Sequence, residues 1–306
     1  MRIATYRGPQ GTPRTAAVVG GAGSERLIDL ADATGGRVPA GDLLALLEAG
    51  ALDIARSVST SGDGIPLSSA QLLAPMARPP KILAAAGNYV AHIVEGGQPP
   101  PDKTRIVPKL FIKPSSSVLA PGAAVPLPTV SNTTDWELEL GVVIGKRGRD
   151  IPLERALDHV AGYTVINDVS ARTMEWGTPG REPSEWDLFF DWLNGKWPDG
   201  FAPTGPWLVT ADEIPDPQAL HMTLTVNGTR HQDASTRDML FSVAELIAFS
   251  SRFMTLEPGD TYATGTPSGV GDASGIYLKD GDVMEATIDR IGTLRTPVVA
   301  TAAVPA

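Results

Sequence analysis

The chain has 306 residues, no cysteine and a net charge of −10. The lack of cysteine excludes disulfide bonds, thiolate metal sites and a cysteine nucleophile. The sequence has neither the basic cluster of a nucleic-acid-binding protein nor an apolar run long enough to span a membrane. The N-terminus lacks the apolar core of a signal peptide. We therefore expect a cytoplasmic protein with no nucleic-acid or membrane partner.

The first 75 residues predict a small N-terminal domain. Short strand-like segments come first, and "GDLLALLEAGALDIARSV" then has the leucine spacing of one or two helices. A proline-rich connector, residues 74–81, follows and is the candidate boundary. We expect domains over residues 1–75 and 76–306.

The remainder of the chain predicts a β-rich α+β fold. Strand-like segments dominate from residue 81 onwards, and "VNGTR" contains an Asn-Gly pair that favours a β-hairpin turn. Helices are predicted at "IPLERALDHV" and "SVAELIAFSSRFM", the second with Val243, Leu246, Ile247, Phe249 and Phe253 on one face. We expect a mixed or antiparallel sheet that curls towards a barrel.

Two acidic residues share one face of the predicted strand "DWELELGVVIG", residues 135–145. Side chains alternate along a strand, so Glu137 and Glu139 point to one side, while Trp136, Leu138 and Leu140 point to the packed side. On this segment alone, carboxylates in water are the simpler interpretation, and a bound ligand is the alternative.

A third acid, Asp168, ends the apolar strand "GYTVINDVS". It is either a functional carboxylate or the N-cap of a helix beginning in "DVSARTMEW". If Glu137, Glu139 and Asp168 converge, their like charges require a cation. An all-carboxylate site favours a hard ion, Mg²⁺ first and then Mn²⁺ or Ca²⁺.

His92 differs from the other three histidines in its surroundings. It lies in "AAAGNYVAHIVEGG", where Glu95 follows three residues later on the same face of a short predicted helix. A carboxylate that binds imidazole orients the ring and makes it a stronger base. The following loop, rich in glycine and proline, would let this helix act as a lid. The alternative is a surface pair without function.

Two further segments contain candidate site residues. Lys196 is flanked by aromatics and glycines, so it is predicted either to stabilise an oxyanion or to extend along the surface. Thr266 lies in the Gly/Thr-rich loop "ATGTPSGVGD", which either presents donors to a ligand carboxylate or forms a plain turn.

Taken together, these segments resemble the fumarylacetoacetate hydrolase family. The similar segments are "PPKILAAAGNYVAHIVE", "DWELELGVVIG", "GYTVINDVSAR", "GPWLVTADEI" and "TGTPSGVG". The resemblance implies an irregular mixed β-sheet or barrel core with a small N-terminal α/β domain, usually in homodimers. Its implied site residues are the metal ligands Glu137, Glu139 and Asp168, the catalytic residues His92, Glu95 and Lys196, and the substrate-binding residues Tyr89, Arg172 and Thr266.

The sequence departs from the family pattern in two places. Glu175 stands where many members have glutamine, and residues 177–195 form a longer stretch than usual before Lys196. This stretch contains Trp186 and Trp192, which with Trp197 are predicted to line or cover the pocket. The departures affect the expected substrate more than the expected chemistry.

The expected activity is Mg²⁺-dependent hydrolysis of a C–C bond in a small 1,3-diketo or 2-oxo acid, with water activated by His92 and Glu95. Isomerisation, decarboxylation and hydration of a 2-oxo or 2-hydroxydienoic acid are alternatives, because the same site can support them. A non-catalytic metal-binding protein would need the three acids but not His92.

Overall fold

The computed structural model describes residues 1–21, 23–58 and 64–301, so residues 302–306 of the predicted second domain lie outside it. Strands predominate over short helices. In chain order, the strands are β1 (Arg2–Arg7), β2 (Pro13–Val19), β3 (Arg26–Asp29), β4 (Ile65–Pro66), β5 (Leu72–Leu73), β6 (Ile82–Ala86), β7 (Lys109–Lys113), β8 (Val118–Leu119), β9 (Val125–Leu127), β10 (Thr134–Asp135), β11 (Leu138–Ile144), β12 (Val160–Asn167), β13 (Ser170–Ala171), β14 (Ala202–Thr210), β15 (His221–Val226), β16 (Thr229–Ser235), β17 (Thr261–Ala263), β18 (Val283–Ile288) and β19 (Gly292–Ala300).

The α-helices are short, and none in the described part of the chain is long and apolar enough to cross a membrane. They are α1 (Leu30–Ala33), α2 (Leu43–Glu48), α3 (Leu52–Arg56), α4 (Val90–Glu95), α5 (Glu185–Asn194), α6 (Val243–Ser251) and α7 (Gly271–Ser274).

A large mixed sheet forms the centre of the molecule, in the order β4-β3-β2-β1-β14-β12-β11-β17-β6-β7. Most neighbouring strands are antiparallel, whereas β17 and β6 are parallel. A second sheet has the order β16-β15-β18-β19-β9, and β10 pairs with β13. The predicted β-rich α+β fold is confirmed. The described residues form no closed barrel, because the large sheet ends at β4 and β7.

The N-terminal strands belong to this large sheet, because β1 pairs with β14. The predicted pair of helices is present as α2 and α3, and Leu43 and Leu46 of α2 join the same apolar cluster as Val143 and Leu208. One buried cluster therefore combines residues from both sides of the proposed boundary. The division at residue 75 stays a prediction.

The sequence correctly predicted a hairpin turn, but it predicted two helices only in part. Asn227 and Gly228 both have positive φ, 51° and 79°, and connect β15 to β16 as the predicted hairpin. The expected helix at "IPLERALDHV" is instead a 3₁₀ helix, Leu153–His159. Helix α6 ends at Ser251, so Phe253 lies beyond it and is exposed rather than on its buried face.

Strands β11 and β12 position the site. Every residue of both is buried, and they pair antiparallel so that Leu138, the first residue of β11, lies opposite Asn167, the last of β12. The residues next to this pair, Glu137, Glu139 and Asp168, consequently meet at the same end of the strand pair.

Candidate active site

The three acids predicted as metal ligands converge in the structure. One oxygen from each of Glu137, Glu139 and Asp168 lies within 4.8 Å of the others, and all three side chains are buried. Trp136, Leu138 and Leu140 are fully buried on the packed side. Glu137 and Glu139 are therefore not exposed to water, which excludes the simpler interpretation of this segment.

The structure corrects one local expectation about these acids and excludes one of two alternatives for Asp168. The strand predicted over residues 135–145 is interrupted between β10 and β11, because the Glu137 amide donates to the side chain of Asn167. No helix begins at Asp168 either. Its backbone amide donates to the Glu137 carbonyl, and the chain continues into β13. The N-cap interpretation of Asp168 is therefore excluded.

Three cationic side chains surround two of the acids. Lys196 Nζ donates to Glu137 Oε2 at 2.8 Å and to Asp168 Oδ2 at 3.1 Å. Arg172 Nη2 lies 2.7 Å from Glu137 Oε1. Lys113 Nζ lies 2.5 Å from Asp168 Oδ1. Burial favours the neutral form of Glu137, but Lys196 and Arg172 outweigh it and lower the pKa of this carboxyl.

Glu139 is in the opposite situation. It makes no ion pair among the described residues, and its Oε2 accepts a hydrogen bond from the Gly265 amide at 2.6 Å. Burial, together with the charges of Asp168 and Glu137, raises its pKa well above the usual value. Of the three acids, Glu139 gains most from a bound cation. Three buried carboxylates suit a hard divalent ion such as Mg²⁺, so the donor set fits the metal that the sequence predicted.

Asp135 is a neighbouring acid with a different role. Its Oδ1 accepts from Arg172 Nε at 2.7 Å, and its Oδ2 accepts from the Asp272 amide at 2.8 Å. Burial raises the pKa of Asp135 to about 6, against the opposing effect of Arg172. Both oxygens are thus directed at protein groups, and Oδ1 orients Arg172.

The His92–Glu95 pair lies on the predicted short helix, α4. His92 Nδ1 and Glu95 Oε1 are 2.8 Å apart, and Glu95 Oε2 accepts from the Gly269 amide at 2.8 Å. Both residues line a cleft of about 990 Å³, and Arg172 lines it too. The pair therefore faces a cleft rather than open surface, and the second hydrogen bond fixes the carboxylate.

Two of the predicted substrate-binding residues are engaged elsewhere. Tyr89 is 1% exposed, and its hydroxyl points to Met222 Sδ. The Thr266 hydroxyl donates to the Leu138 carbonyl and accepts from the Gln232 amide. A direct contact of either hydroxyl with substrate requires rearrangement, so both assignments stay predictions.

Sequence reasoning missed two buried residues at the site. Lys113 is 1% exposed and contacts Asp168. Gln232 is fully buried and connects the Leu138 amide to Thr266. In "PKLFIKP", Lys113 shares a strand face with Lys109 by alternation. Lys109 is nevertheless exposed, so the pattern could not show which lysine is buried.

The longer stretch before Lys196 contains α5, which begins at Glu185. A capping box of Ser184 and Asp187 begins the helix. Trp192 lines the cleft, contacts Phe111 edge-on at 5.1 Å between ring centroids, and lies 5.8 Å from Lys196 Nζ. Of the three tryptophans predicted to line or cover the pocket, Trp192 lines the cleft and the other two do not. Trp186 is 69% exposed, and Trp197 donates to the Ile112 carbonyl.

The fold and this acidic centre define the class of protein. The chain belongs to the fumarylacetoacetate hydrolase family, since residues 81–299 match the family model described as "Fumarylacetoacetate (FAA) hydrolase C-terminal". This is a family of enzymes, in which similar proteins have hydrolase, isomerase and tautomerase names.

Three similar proteins illustrate this range. The mitochondrial oxaloacetate tautomerase fahd2 of Xenopus laevis is 43% identical over 252 residues, which is 81% of this chain and 75% of that protein. The 2,4-didehydro-3-deoxy-L-rhamnonate hydrolase of a Sphingomonas species is 46% identical over 223 residues, 71% of this chain and 73% of that protein. The crystal structure of 5-carboxymethyl-2-hydroxymuconate delta-isomerase from Mycobacterium smegmatis superposes with a TM-score of 0.74 at 30% identity, covering 98% of this chain and 100% of that one.

Proposed function

We propose that this protein is a Mg²⁺-dependent hydrolase that cleaves a C–C bond in a small 1,3-diketo or 2-oxo acid. The observation that carries the proposal is the combination of three converging buried carboxylates with a His–Glu pair on the adjoining cleft. A metal-binding protein without catalysis would need the carboxylates alone. The cleft also contains Arg172, a cation suited to a carboxylate substrate.

Glu137, Glu139 and Asp168 would hold the divalent ion. Bound Mg²⁺ would act as a Lewis acid towards the oxygens of a small oxo acid and reduce the cost of developing negative charge. Mn²⁺ and Ca²⁺ are expected to compete, because they accept the same oxygen ligands.

The His92–Glu95 pair would activate water. A carboxylate accepts hydrogen bonds only, so Glu95 keeps the proton of His92 on Nδ1 and leaves Nε2 free to take a proton from water. The Gly269 amide fixes Glu95 and thereby the orientation of the ring. A general base in this position contributes about 10²- to 10⁴-fold to the rate.

The proposed reaction consumes one water. Its oxygen forms a bond to the distal acyl carbon, and the bond between that carbon and the neighbouring methylene breaks. The electron pair leaves with the oxo-acid fragment as an enolate, which then takes a proton, so the products are a carboxylic acid and a shorter oxo acid. Lys196 donates to two carboxylates and has a third N–H with which it would stabilise the developing charge.

Keto–enol tautomerisation is the second candidate. The 43% identical Xenopus laevis relative is named an oxaloacetate tautomerase. The same base at His92 could move a proton between carbon and oxygen without adding water. Isomerisation, decarboxylation and hydration remain further alternatives for the same residues.

A substrate screen tests the proposal. The purified protein is incubated with Mg²⁺ and a panel of acylpyruvates, 2-oxo acids and 2-hydroxydienoic acids, and products are identified by mass spectrometry. Hydrolysis predicts two shorter acids from an acylpyruvate, with the loss of this activity in EDTA and in His92→Ala. If the enol and keto forms interconvert without cleavage, the protein is a tautomerase rather than a hydrolase. If it reacts with none of the acids, the proposal is contradicted.

We further propose that the protein forms a homodimer, as the family resemblance implies. Size-exclusion chromatography with light scattering measures the oligomeric state directly.

A further inference from the structure

Lys113 is a buried cation at the acidic centre for which the proposed reaction has no role. Its Nζ lies 2.5 Å from Asp168 Oδ1, 2.5 Å from the Lys196 carbonyl oxygen and 3.5 Å from the Val169 carbonyl oxygen. These are three acceptors for the three N–H groups of one ammonium. The side chain is completely buried, so no donor is available to substrate.

These contacts connect parts of the chain that are distant in sequence. Lys113 ends β7, Asp168 follows β12, and Lys196 follows α5. Asp168 Oδ2 accepts from Lys196 Nζ at 3.1 Å. Lys113 thus donates to one carboxylate oxygen of Asp168 and to the main-chain carbonyl of Lys196. The side chain of Lys196 donates to the other carboxylate oxygen of Asp168. The result is a closed ring of contacts among three residues.

We propose that Lys113 is a positioning residue, which fixes the Asp168 carboxylate and the Lys196 segment relative to each other. This inference rests on the proposed function, in which Asp168 holds the divalent ion and Lys196 stabilises charge. Lys113 acts through these two residues and touches neither the substrate nor the reacting atoms.

The direction in which metal affinity changes when Lys113 is removed distinguishes a positioning role from a purely electrostatic role. A lysine that acted only as a positive charge would repel a divalent cation at Asp168, so its removal would strengthen metal binding. A lysine that positions Asp168 would weaken metal binding when removed, despite the loss of a repulsive charge. Loss of a residue that orients a metal ligand typically costs about 10- to 100-fold in affinity.

Lys113→Met tests this difference, because methionine is a neutral side chain of similar length. Mn²⁺ binding is measured by isothermal titration calorimetry, with Lys146→Met, an exposed lysine beyond β11, as the control. We expect Mn²⁺ to bind about 10- to 100-fold more weakly to Lys113→Met and unchanged to the control. We also expect kcat for the oxo acid to fall more than KM rises, since Lys196 is displaced with Asp168.

Chemical rescue distinguishes the loss of the Lys113 ammonium from general misfolding of the variant. The chain has no cysteine, so Lys113→Cys provides a single thiol that can be alkylated in denaturant before refolding. An aminoethyl group restores an ammonium at lysine length, and a propyl group gives the neutral match. We expect the aminoethylated protein to regain Mn²⁺ affinity and kcat, and the propylated protein to remain impaired.

Three results would overturn the inference. If Lys113→Met binds Mn²⁺ as tightly as the wild type or more tightly, the positioning role is contradicted but the proposed function is not. If the aminoethylated and propylated proteins behave alike, the positioning role is again contradicted and the proposed function is unaffected. A wild-type protein that binds no Mn²⁺ contradicts the proposed function together with this inference.

Discussion

The acidic centre and the outer wall of the cleft are built in different ways. The centre lies at the ends of the buried strands β11 and β12, and its acids are bound by Lys113, Lys196 and Arg172 or by a backbone amide. The outer wall includes the helix α5, which exposes several large apolar side chains. Side chains that are locked by packing and hydrogen bonds hold their position more accurately than exposed side chains do. The centre is therefore expected to set the chemistry, and the outer wall to set which acid is accepted.

The largest expected effect comes from Glu139→Gln in the centre. Glutamine has the same shape but removes a carboxylate that makes no ion pair among the described residues. We expect Mn²⁺ affinity to fall by more than the roughly 10- to 100-fold typical of an orienting residue, and turnover to be lost with it. Thermal stability should stay the same or rise, because a like-charge repulsion disappears.

Glu137→Gln is the matched comparison within the centre. It also removes a ligand, but it leaves Lys196 and Arg172 with one charged partner fewer. Breaking a buried ion pair in this way costs about 3–5 kcal/mol of folding stability. Calorimetric metal titrations and urea unfolding of both variants measure these effects. Unchanged metal affinity in either variant would show that the metal site is misassigned.

The next effect is that of His92→Ala on α4. We expect kcat to fall about 10²- to 10⁴-fold, as for loss of a general base. Metal affinity should hardly change, since His92 is not among the three acids that converge. His159→Ala, which removes a histidine that binds the Lys146 carbonyl, serves as the control. Full turnover of an acylpyruvate by His92→Ala would exclude the proposed role of the pair.

A smaller effect is expected from Trp192→Ala in the outer wall. Trp192 lines the cleft, so its loss should change kcat/KM by about 10- to 200-fold for some acids and little for others, as contacts in apolar pockets do. Trp186→Ala, on the exposed part of the same helix, should leave kcat/KM nearly unchanged for all acids, because Trp186 does not line the cleft. A uniform loss across short and long acids would instead place Trp192 in the chemistry.

The smallest effect concerns pH and the anchoring of α5. Asp191 accepts hydrogen bonds from Arg181 and from Trp176. Burial opposes the charge of Asp191, but these partners outweigh it and lower its pKa below the usual 3.8. Its contribution to stability is therefore present above pH 3.8 and is lost as the pH falls through the lower folded value.

Asp191→Asn removes that contribution. The free energy of unfolding of the wild type should exceed that of the variant by about 1.5–3 kcal/mol near neutral pH, the range for hydrogen bonds to charged groups. The difference should shrink below pH 3.8. Urea unfolding followed by tryptophan fluorescence between pH 3 and 7 measures it. A difference independent of pH would mean that the Asp191 charge does not stabilise the α5 anchor.

The sequence predicted the parts of the site that depend on local pattern. Alternation alone placed Glu137 and Glu139 on one face, and a spacing of three placed His92 beside Glu95. The same local patterns could not show that Asp168 precedes a strand rather than a helix.

Burial and non-local contacts were the features that could not be predicted. Lys113 is buried because β7 brings it to Asp168, 55 residues further along the chain. Gln232 reaches Leu138 across 94 residues. The exposure of Trp186 beside the cleft-lining Trp192 likewise depends on how α5 packs, which the sequence of that helix does not specify.

The most direct test of the central claim is to follow the reaction in H₂¹⁸O. The protein is incubated with Mg²⁺ and an acylpyruvate, the products are separated, and their masses are measured by mass spectrometry. Hydrolysis by water that His92 activates predicts one ¹⁸O atom in the carboxylate of the released acid, no release in EDTA, and release about 10²- to 10⁴-fold slower in His92→Ala. Recovery of the intact acylpyruvate, with only its enol and keto forms interconverted, would contradict the hydrolase assignment.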